Sequence, residues 1–252
     1  LASLPEVPDL VIICLQANLV PDALRSCVAG NCKNIHIFSS GFKETGEAVG
    51  IELQAKIERI AKDGGLHVIG PNCMGLHVPA SRITTMPRPP KESGPIAFVS
   101  QSGGNARDFN RYIRNRFGLG TSKIFSYGNA LTMDCTDFLT YLAGDDETRV
   151  ITMYLEGVKD GRKLLSAVRK IVPVKPVIIF KAGLTESGVR AVASHTGSMA
   201  GNEKIWNAFF KQSGAVQVDS MEELAEQPIS ARRIRRQVEM IGQARVEERD
   251  RQ

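Results

Sequence analysis

Short apolar runs and longer amphipathic stretches alternate along most of the chain. The apolar runs are rich in Val, Ile and Leu, as the buried strands of parallel sheets are, and the stretches between them carry apolar residues at helical spacing. The runs lie at Leu10–Cys14, Asn34–Phe38, His67–Ile69, Ile96–Ser100, Lys123–Ser126, Val150–Leu155, Pro176–Phe180 and Ala215–Val218. The predicted helices cover Pro21–Ala29, Ala48–Asp63 and residues near 105–117, 134–143, 160–171 and 202–213. This alternation predicts βαβ units and therefore an α/β fold.

A segment rich in proline and turn residues, Pro87–Gly94, divides the series after a small hairpin-like piece. We therefore predict two tandem, open, parallel-sheet domains, at residues 1–88 and 92–228. Residues 229–252 form an Arg-rich tail that is either an exposed helix or an unstructured segment. Open parallel sheets bind their ligands beyond the C-terminal ends of the strands, so the loops at those ends are the candidate functional loops.

Composition and charge narrow the function classes. The chain has 252 residues, 42% of them hydrophobic and 23% charged, as soluble globular proteins have. It contains no apolar run long enough to cross a membrane and no basic, apolar leader, and its five cysteines show no CxxC spacing. We therefore expect a cytoplasmic protein. The net charge of +5 arises mainly in the tail, where residues 231–252 hold seven Arg against four acidic residues, so nucleic-acid binding is not expected.

Ser100–Gly104 joins a predicted strand directly to a predicted helix. Small residues at such a turn let backbone N–H groups converge on an anion such as phosphate, which makes Ser102, Gly103 and Gly104 candidate phosphate-binding residues. The alternative is an ordinary turn in which Ser102 caps the helix. A serine-hydrolase elbow is disfavoured because Ser100 stands where that motif needs glycine.

Two further candidates lie in the second predicted domain. His195 is surrounded by small and hydroxyl residues in Ala193–Gly201, and a neutral imidazole there could attack a bound phosphorus; the alternative is a surface histidine. Glu156 ends the run Val150–Leu155 and could fix the tautomer of an imidazole, or it could cap the next helix. The other histidines have apolar neighbours and are expected within strands, and no metal site is predicted.

The first predicted domain contributes two loops at strand ends. Ser40–Gly46 is bounded by glycines and contains a lysine, and Gly70–Gly75 places Cys73 at a tight turn. The sequence leaves open whether that thiol is structural or functional. Five such loops at strand C-termini together favour a ligand site.

Taken together, these loops resemble those of the NDP-forming acyl-CoA synthetases. The resemblance spans roughly residues 1 to 226 and is carried by Ser40–Glu44, Gly70–Gly75, Phe98–Gly104, Lys181–Gly183 and Ser194–Gly201. These segments are similar to the α subunit of succinyl-CoA synthetase and most similar to the ADP-forming acetate–CoA ligases. The resemblance implies a Rossmann-like CoA-binding domain followed by a flavodoxin-like domain of the succinyl-CoA-synthetase type.

It also implies a ligase reaction. In this family an acyl-CoA and phosphate give an acyl phosphate, which phosphorylates a histidine that then passes the phosphoryl group to an NDP. By resemblance His195 is the phosphohistidine and Glu156 the carboxylate that holds it, while Ser102, Gly103 and Gly104 hold the phosphate. The implied CoA-lining residues are Gly41, Phe42, Lys43, Glu44, Asn72 and Cys73. The expected partners are a small carboxylic acid and an ATP-grasp β-type subunit or domain that carries ADP/ATP or GDP/GTP with Mg²⁺, which makes a hetero-oligomer.

The chain also departs from the family's pattern. It begins after the family's opening strand and Gly-rich phosphate loop, so we expect an incomplete CoA-binding domain and weak CoA binding. Leu15 and Gln16 stand where relatives usually have a Val-Pro pair. An alternative is therefore a non-catalytic CoA-binding or regulatory module that kept the fold, although His195, Glu156 and Ser102 together favour catalysis.

Overall fold

The computed structural model describes residues 4–184 and 203–228, and within them it shows an α/β fold with two sheets. His195 and the predicted tail at residues 229–252 lie outside the described residues. The strands are β1 (Val11–Ile13), β2 (Asn34–Ile37), β3 (His67–Ile69), β4 (Gly75–Val78), β5 (Ile83–Thr84), β6 (Ser93–Ser100), β7 (Thr121–Ser126), β8 (Val150–Leu155), β9 (Val177–Lys181) and β10 (Val216–Val218). The helices are α1 (Val20–Ala29), α2 (Ala48–Asp63), α3 (Gly103–Phe117), α4 (Cys135–Ala143), α5 (Gly161–Ile171) and α6 (Glu203–Ser213), and residues 221–228 are also helical.

The first sheet is parallel and has the order β1-β2-β3. Helices α1 and α2 pack against it, and their fully buried Leu24 and Ile57 meet Ile35 and Val68 of the strands in one core. Pro21 lies in the first turn of α1, where its missing N–H leaves no helix bond unmade. The burial of apolar side chains from both layers stabilises this small α/β unit.

The second sheet has seven strands in the order β10-β9-β8-β6-β7-β4-β5. The five strands from β10 to β7 in that order are parallel. Side chains alternate between two cores, so that Val99 of β6 packs beneath α4, α5 and α6, whereas Phe98 packs beneath α3 and the helical residues 221–228. Helices therefore cover both faces of the sheet, which is the doubly wound arrangement that the alternating pattern predicted.

The eight predicted strands and the six predicted helices are present, and their ends agree with the predicted ones to within three residues. The hairpin-like piece before the proline-rich segment is β4–β5, and it adds to the second sheet because β4 pairs antiparallel with β7. Residues 75–84 thus share hydrogen bonds with the second sheet although they precede the predicted boundary. Within the described ranges, no helix is long and apolar enough to cross a membrane.

The segment that follows β7 fastens the second sheet to the first. Thr132 Oγ1 accepts a hydrogen bond from the backbone N–H of Val68 at 2.8 Å and donates to the carbonyl of Leu66 at 3.0 Å. Nearby, the backbone N–H of Asn129 donates to the carbonyl of Pro71 at 3.0 Å. These bonds place the C-terminal ends of the two sets of strands next to each other.

Candidate functional site

The N-terminus of α3 is a tightly built turn. Ser102 is the N-cap residue and its Oγ accepts a hydrogen bond from the backbone N–H of Asn105 at 3.3 Å. The Oγ of buried Ser100 accepts from the N–H of Ser102 at 3.1 Å and donates to its carbonyl at 2.7 Å. Gly103 and Gly104 begin the helix, and the first N–H groups of a helix have no carbonyl partner within it. Ser102 is therefore a cap, and its turn also presents the donors that an anion needs.

Glu156 is buried at the C-terminal end of β8, with 7% of its surface exposed. Its backbone N–H and that of Gly157 donate to the side-chain Oε1 of Gln101, at 2.5 and 2.8 Å. Gln101 immediately precedes Ser102, so one amide side chain ties the loop after β8 to the turn before α3. The two loops predicted to act together are thus held together by hydrogen bonds.

Tyr154 lies two residues before Glu156, near the end of β8. Burial together with the charge of Glu156 raises the pKa of Tyr154 to about 12, so its hydroxyl stays neutral. The helix α5 is instead capped by Asp160, whose Oδ1 accepts from two backbone N–H groups at 2.9 Å. Glu156 is not the cap of that helix.

Lys181 is a charged residue that belongs to the same region and that the site prediction missed. It ends β9 with 3% of its surface exposed, donates to the carbonyl of Ala182, and has its Nζ 5.4 Å from the ring centroid of Trp206. Burial lowers the pKa of Lys181 to about 8, although the nearby charge of Glu156 acts in the opposite direction. The sequence did carry a signal, because a lysine that directly follows an apolar run ends a buried strand beside the ligand crevice.

A cavity of about 350 Å³ opens over the ends of these strands. It lies where the loops after β6, β7 and β8 meet the end of β9 and the start of α4, as the ligand crevice of a doubly wound sheet does. One wall residue, Lys43, comes from the loop after β2, so the cavity spans both sets of strand ends. The lining residues are Lys43, Gln101, Tyr127, Asn129, Ala130, Asp134, Cys135, Gly157, Val158, Lys159, Lys181 and Trp206.

In the loop after β2, several of the predicted ligand-binding residues contact the protein itself. Glu44 Oε1 accepts from the backbone N–H groups of Gly41 at 2.6 Å and Phe42 at 3.1 Å, and its Oε2 accepts from Asn129 Nδ2 at 2.5 Å. Phe42 is fully buried in the first core. Gly41 adopts φ +101°, a conformation that other residues rarely adopt. The loop is therefore held in shape by its own carboxylate, and Lys43 extends from it to the cavity.

The loop after β3 is also internally bonded. The N–H of Asn72, a residue with φ +58°, donates to the carbonyl of Ser39 at 2.8 Å. Cys73 is buried, its thiol lies 3.7 Å from the carbonyl oxygen of Ile37, and burial raises its pKa to about 12. A thiol that stays protonated is a poor nucleophile, so Cys73 is structural. A Cβ at Gly103 would lie 2.8 Å from Met74 Cγ, which shows how closely this loop meets α3.

The remaining histidines add no further site. His36, His67 and His77 lie in β2, β3 and β4, as their apolar neighbours predicted. Among the residues that the structure describes, no three His, Cys, Asp or Glu side chains are placed to hold a metal ion.

Comparisons with known proteins identify both halves of the chain. The family described as "Succinyl-CoA ligase like flavodoxin domain" matches residues 93–228, and the family described as "CoA binding domain" matches residues 1–79. The chain is 41% identical over 222 residues to ADP-forming acetate–CoA ligase I of Archaeoglobus fulgidus, covering 88% of this chain and 32% of that protein. It is 38% identical over 225 residues to the α subunit of ADP-forming acetate–CoA ligase II of Pyrococcus furiosus, covering 88% of this chain and 49% of that subunit.

A solved structure agrees with these relatives. Acetyl-coenzyme A synthetase 1 of Ca. Korarchaeum cryptofilum, in complex with phosphate and ADP, superposes with a TM-score of 0.82 at 35% identity, over 89% of this chain and 48% of that chain. The chain thus spans about a third to a half of the length of the relatives it matches.

Proposed function

Because the chain belongs to the NDP-forming acyl-CoA synthetase family, we propose that it is the α-type portion of such a ligase. The reaction would interconvert acyl-CoA, NDP and phosphate with a carboxylic acid, CoA and NTP through a phosphorylated histidine. The observation that carries this proposal is the buried carboxylate of Glu156, whose loop is tied to the turn before α3 by the side chain of Gln101. The names of the relatives favour ADP as the nucleotide and acetate or another small acid as the substrate.

The turn at the start of α3 fits a phosphate group. The N–H groups of Gly103 and Gly104 point out of the helix terminus, where the helix dipole favours negative charge. Gly104 leaves open space, since a Cβ there would find only Ser102 Oγ, at 3.9 Å. A relative of the same fold was solved with phosphate and ADP, which is compatible with this assignment.

Each group of the chain has a distinct task in the proposed reaction. The imidazole of His195 attacks the phosphorus of the acyl phosphate, the P–O bond to the acyl group breaks, and the carboxylic acid leaves. Glu156 accepts a hydrogen bond from the far N–H of the imidazole, which fixes the tautomer and stabilises the charge that develops on the ring. The amides of α3 hold the transferred phosphoryl oxygens. Phosphoryl transfer needs mainly such positioning and electrostatic stabilisation.

CoA would supply the thioester from which the acyl phosphate forms, and the loops after β2 and β3 are the proposed place for it. Of the six predicted contacts, Lys43 and Asn72 are proposed to face CoA. Phe42 in the core, Glu44 on its own loop and Cys73 on a carbonyl are proposed to shape the site from behind. An ammonium group such as that of Lys43 suits the phosphates of CoA.

The nucleotide and its Mg²⁺ are proposed to be bound by an ATP-grasp β-type subunit or domain in a cytoplasmic hetero-oligomer. One relative is named as an α subunit, which supports a partner of this kind.

The test is histidine phosphorylation. The full chain is incubated with the partner, Mg²⁺ and γ-³²P-ATP, and we expect label that is labile in acid and stable in base. His195→Ala should lose the label and turnover completely, because no other group replaces a covalent nucleophile. His67→Ala, which changes an exposed histidine at the start of β3, is the matched control and should label normally. Label that persists in His195→Ala would contradict the assignment, and an unlabelled wild-type chain would favour the non-catalytic module.

A further inference from the structure

Three lysines from three different loops converge on the cavity. Lys43 follows β2, Lys159 follows β8 and Lys181 ends β9, and all three line the cavity wall. Lys43 and Lys159 are exposed at the mouth, whereas Lys181 is 3% exposed. The cavity therefore presents positive charge both at its entrance and in its interior.

These three lysines lack the ion pairs that other lysines of the chain make. Throughout residues 4–184 and 203–228, no carboxylate oxygen lies within 4.0 Å of their Nζ atoms, whereas Lys62, Lys123 and Lys163 each form such a pair. Two of them donate to neutral carbonyl groups instead. Lys159 Nζ donates to the carbonyl of Leu131 at 2.9 Å, and Lys181 Nζ donates to that of Ala182.

Three carboxylates that lie near this cluster act on other groups as well. Asp134 lines the cavity, but its Oδ1 accepts the N–H of Thr136 at 2.7 Å as the cap of α4. Glu44 accepts from two amides of its own loop and from Asn129. Glu156 acts through its charge both on Lys181 and on Tyr154. None of these three carboxylates forms an ion pair with a lysine of the cavity.

The arrangement of charge is unfavourable without an anion. Partial desolvation and, after it, the neighbouring ammonium of Lys159 lower the pKa of Lys43, so the two ammonium groups at the mouth repel each other, while the charges of Glu58 and Glu44 act in the opposite direction. Burial likewise lowers the pKa of Lys181. A buried ammonium that is not neutralised raises the free energy of the folded state. An anion in the cavity would relieve both the repulsion and the desolvation.

We propose that the cavity binds the phosphate group of the substrate, with Lys181 as the inner contact and Lys159 at the mouth, whereas Lys43, which is proposed above to face CoA, adds positive charge at the same opening. The ligand class is inorganic phosphate and the small acyl phosphate formed from it. The apolar surfaces of Trp206 and Val158 beside Lys181 suit the acyl end. This inference rests on the proposed function and adds to it a source of positive charge apart from the amides of α3.

The test measures phosphate binding by calorimetry with the full chain. Lys181→Met and Lys159→Gln should each weaken the affinity for inorganic phosphate about tenfold or more, as expected when a charge-assisted hydrogen bond is lost. Lys163→Gln removes an exposed lysine that is paired with Asp137 outside the cavity, and it should change the affinity less than about twofold. Thermal unfolding monitors each variant. If Lys181→Met does not fold, the phosphate affinity of Lys159→Gln, which changes an exposed lysine, is compared with that of Lys163→Gln.

The outcomes separate this inference from the proposed function. Wild-type protein that does not bind phosphate, or lysine variants that bind it as the wild type does, would overturn the inference even if His195 is phosphorylated by the partner and ATP. If the lysine variants bind phosphate more weakly but the wild-type chain cannot be phosphorylated, the anion site is supported and the ligase proposal is contradicted. A parallel titration with CoA distinguishes the source of the phosphate: if CoA affinity falls in the variants while phosphate affinity does not, the cavity serves CoA and the inference is wrong.

Discussion

The loops at the ends of the two sheets are alike in sequence character but differ in how their charges are satisfied. At the first sheet, Glu44 is bound by Gly41, Phe42 and Asn129, and the thiol of Cys73 stays protonated against a carbonyl. At the second sheet, by contrast, buried charges gather around one cavity. A motif that matches a family therefore contains residues of two kinds. Those that build a loop have their partners inside it, and those available for chemistry face the space between loops.

The carboxylates of Glu44 and Glu156 illustrate this difference. Both oxygens of Glu44 accept hydrogen bonds that hold a neighbouring backbone or side chain in place. For Glu156, the backbone N–H is held by Gln101, and the charge of the side chain acts on both Tyr154 and Lys181. Loss of the first carboxylate should therefore affect stability, and loss of the second should affect the rate of phosphoryl transfer.

Among the substitutions that test this difference between the two carboxylates, Glu156→Gln should have the largest effect. The amide keeps the shape of the side chain but cannot stabilise a positively charged imidazole or hold its tautomer as a carboxylate does. We expect phosphorylation of His195 to slow by roughly 10²-fold or more, with little change in the unfolding temperature. Rapid-quench labelling with the partner and ATP measures the rate. Glu92→Gln, an exposed glutamate paired with Arg114, is the control and should label at the wild-type rate. Equal rates in Glu156→Gln and the wild type would show that Glu156 is structural as well.

Glu44→Ala should instead destabilise the first sheet. Two backbone N–H groups and one amide lose their common acceptor, and we expect a loss of about 1–3 kcal/mol in the free energy of unfolding. Urea unfolding measures the loss, and hydrogen exchange should show faster exchange at Gly41 and Phe42. Glu44→Gln, which keeps acceptor oxygen at one position, should lie between the wild type and the alanine variant. Unchanged exchange at Gly41 in Glu44→Ala would mean that the loop does not depend on this carboxylate.

Much of the fold was predictable because its signals are local. Apolar runs such as Val150–Leu155 lie within one strand, and turn residues such as Ser102 mark the start of α3 at the sequence level. The position of the β4–β5 hairpin was not predictable in this way. Its pairing with β7 joins residues about fifty positions apart, and nothing in the short segment Gly75–Val78 specifies that neighbour.

The loops that form the site could be predicted from the sequence, but the side-chain contacts between them could not. Glu156 and the start of α3 were expected to act together, and Gln101 is the side chain that joins them. No role was assigned to Gln101 from the sequence, because a bridging residue is defined only once both loops are placed. Lys181 was quoted as part of a motif and not assigned a role, since its burial depends on α6, whose Trp206 covers it.

A smaller effect is expected from pH on Lys181. The pKa of Lys181 is about 8 in the folded chain and near 10.5 for an ordinary lysine, so between these values the unfolded state binds more protons. The contribution of Lys181 to stability therefore rises with pH across that interval, and below pH 8 the full penalty for burying the ammonium is present. Lys181→Met has no such penalty. Its stability relative to the wild type should be greatest below pH 8 and decline by about 1 kcal/mol or more toward pH 10.5.

Urea unfolding of both proteins at several pH values measures this difference. Lys43 and Lys175 also have lowered pKa values, but they titrate in both proteins and largely cancel in the comparison. A stability difference that does not vary with pH between 8 and 10.5 would show that Lys181 is not a desolvated ammonium.

The smallest effects are expected at the two glycines that open α3, where the two sheets meet. Alanine favours a helix over glycine by up to about 1 kcal/mol, and neither position needs a left-handed backbone. At Gly104 a Cβ meets open space, so Gly104→Ala should raise the free energy of unfolding by about 0.5 kcal/mol. At Gly103 the Cβ would approach Met74 Cγ to 2.8 Å, so Met74 must move and the gain should vanish or reverse. Because Met74 belongs to the loop after β3, hydrogen exchange in that loop should quicken only in Gly103→Ala. Equal stabilisation by both substitutions would show that the first sheet's loop does not rest on the helix terminus.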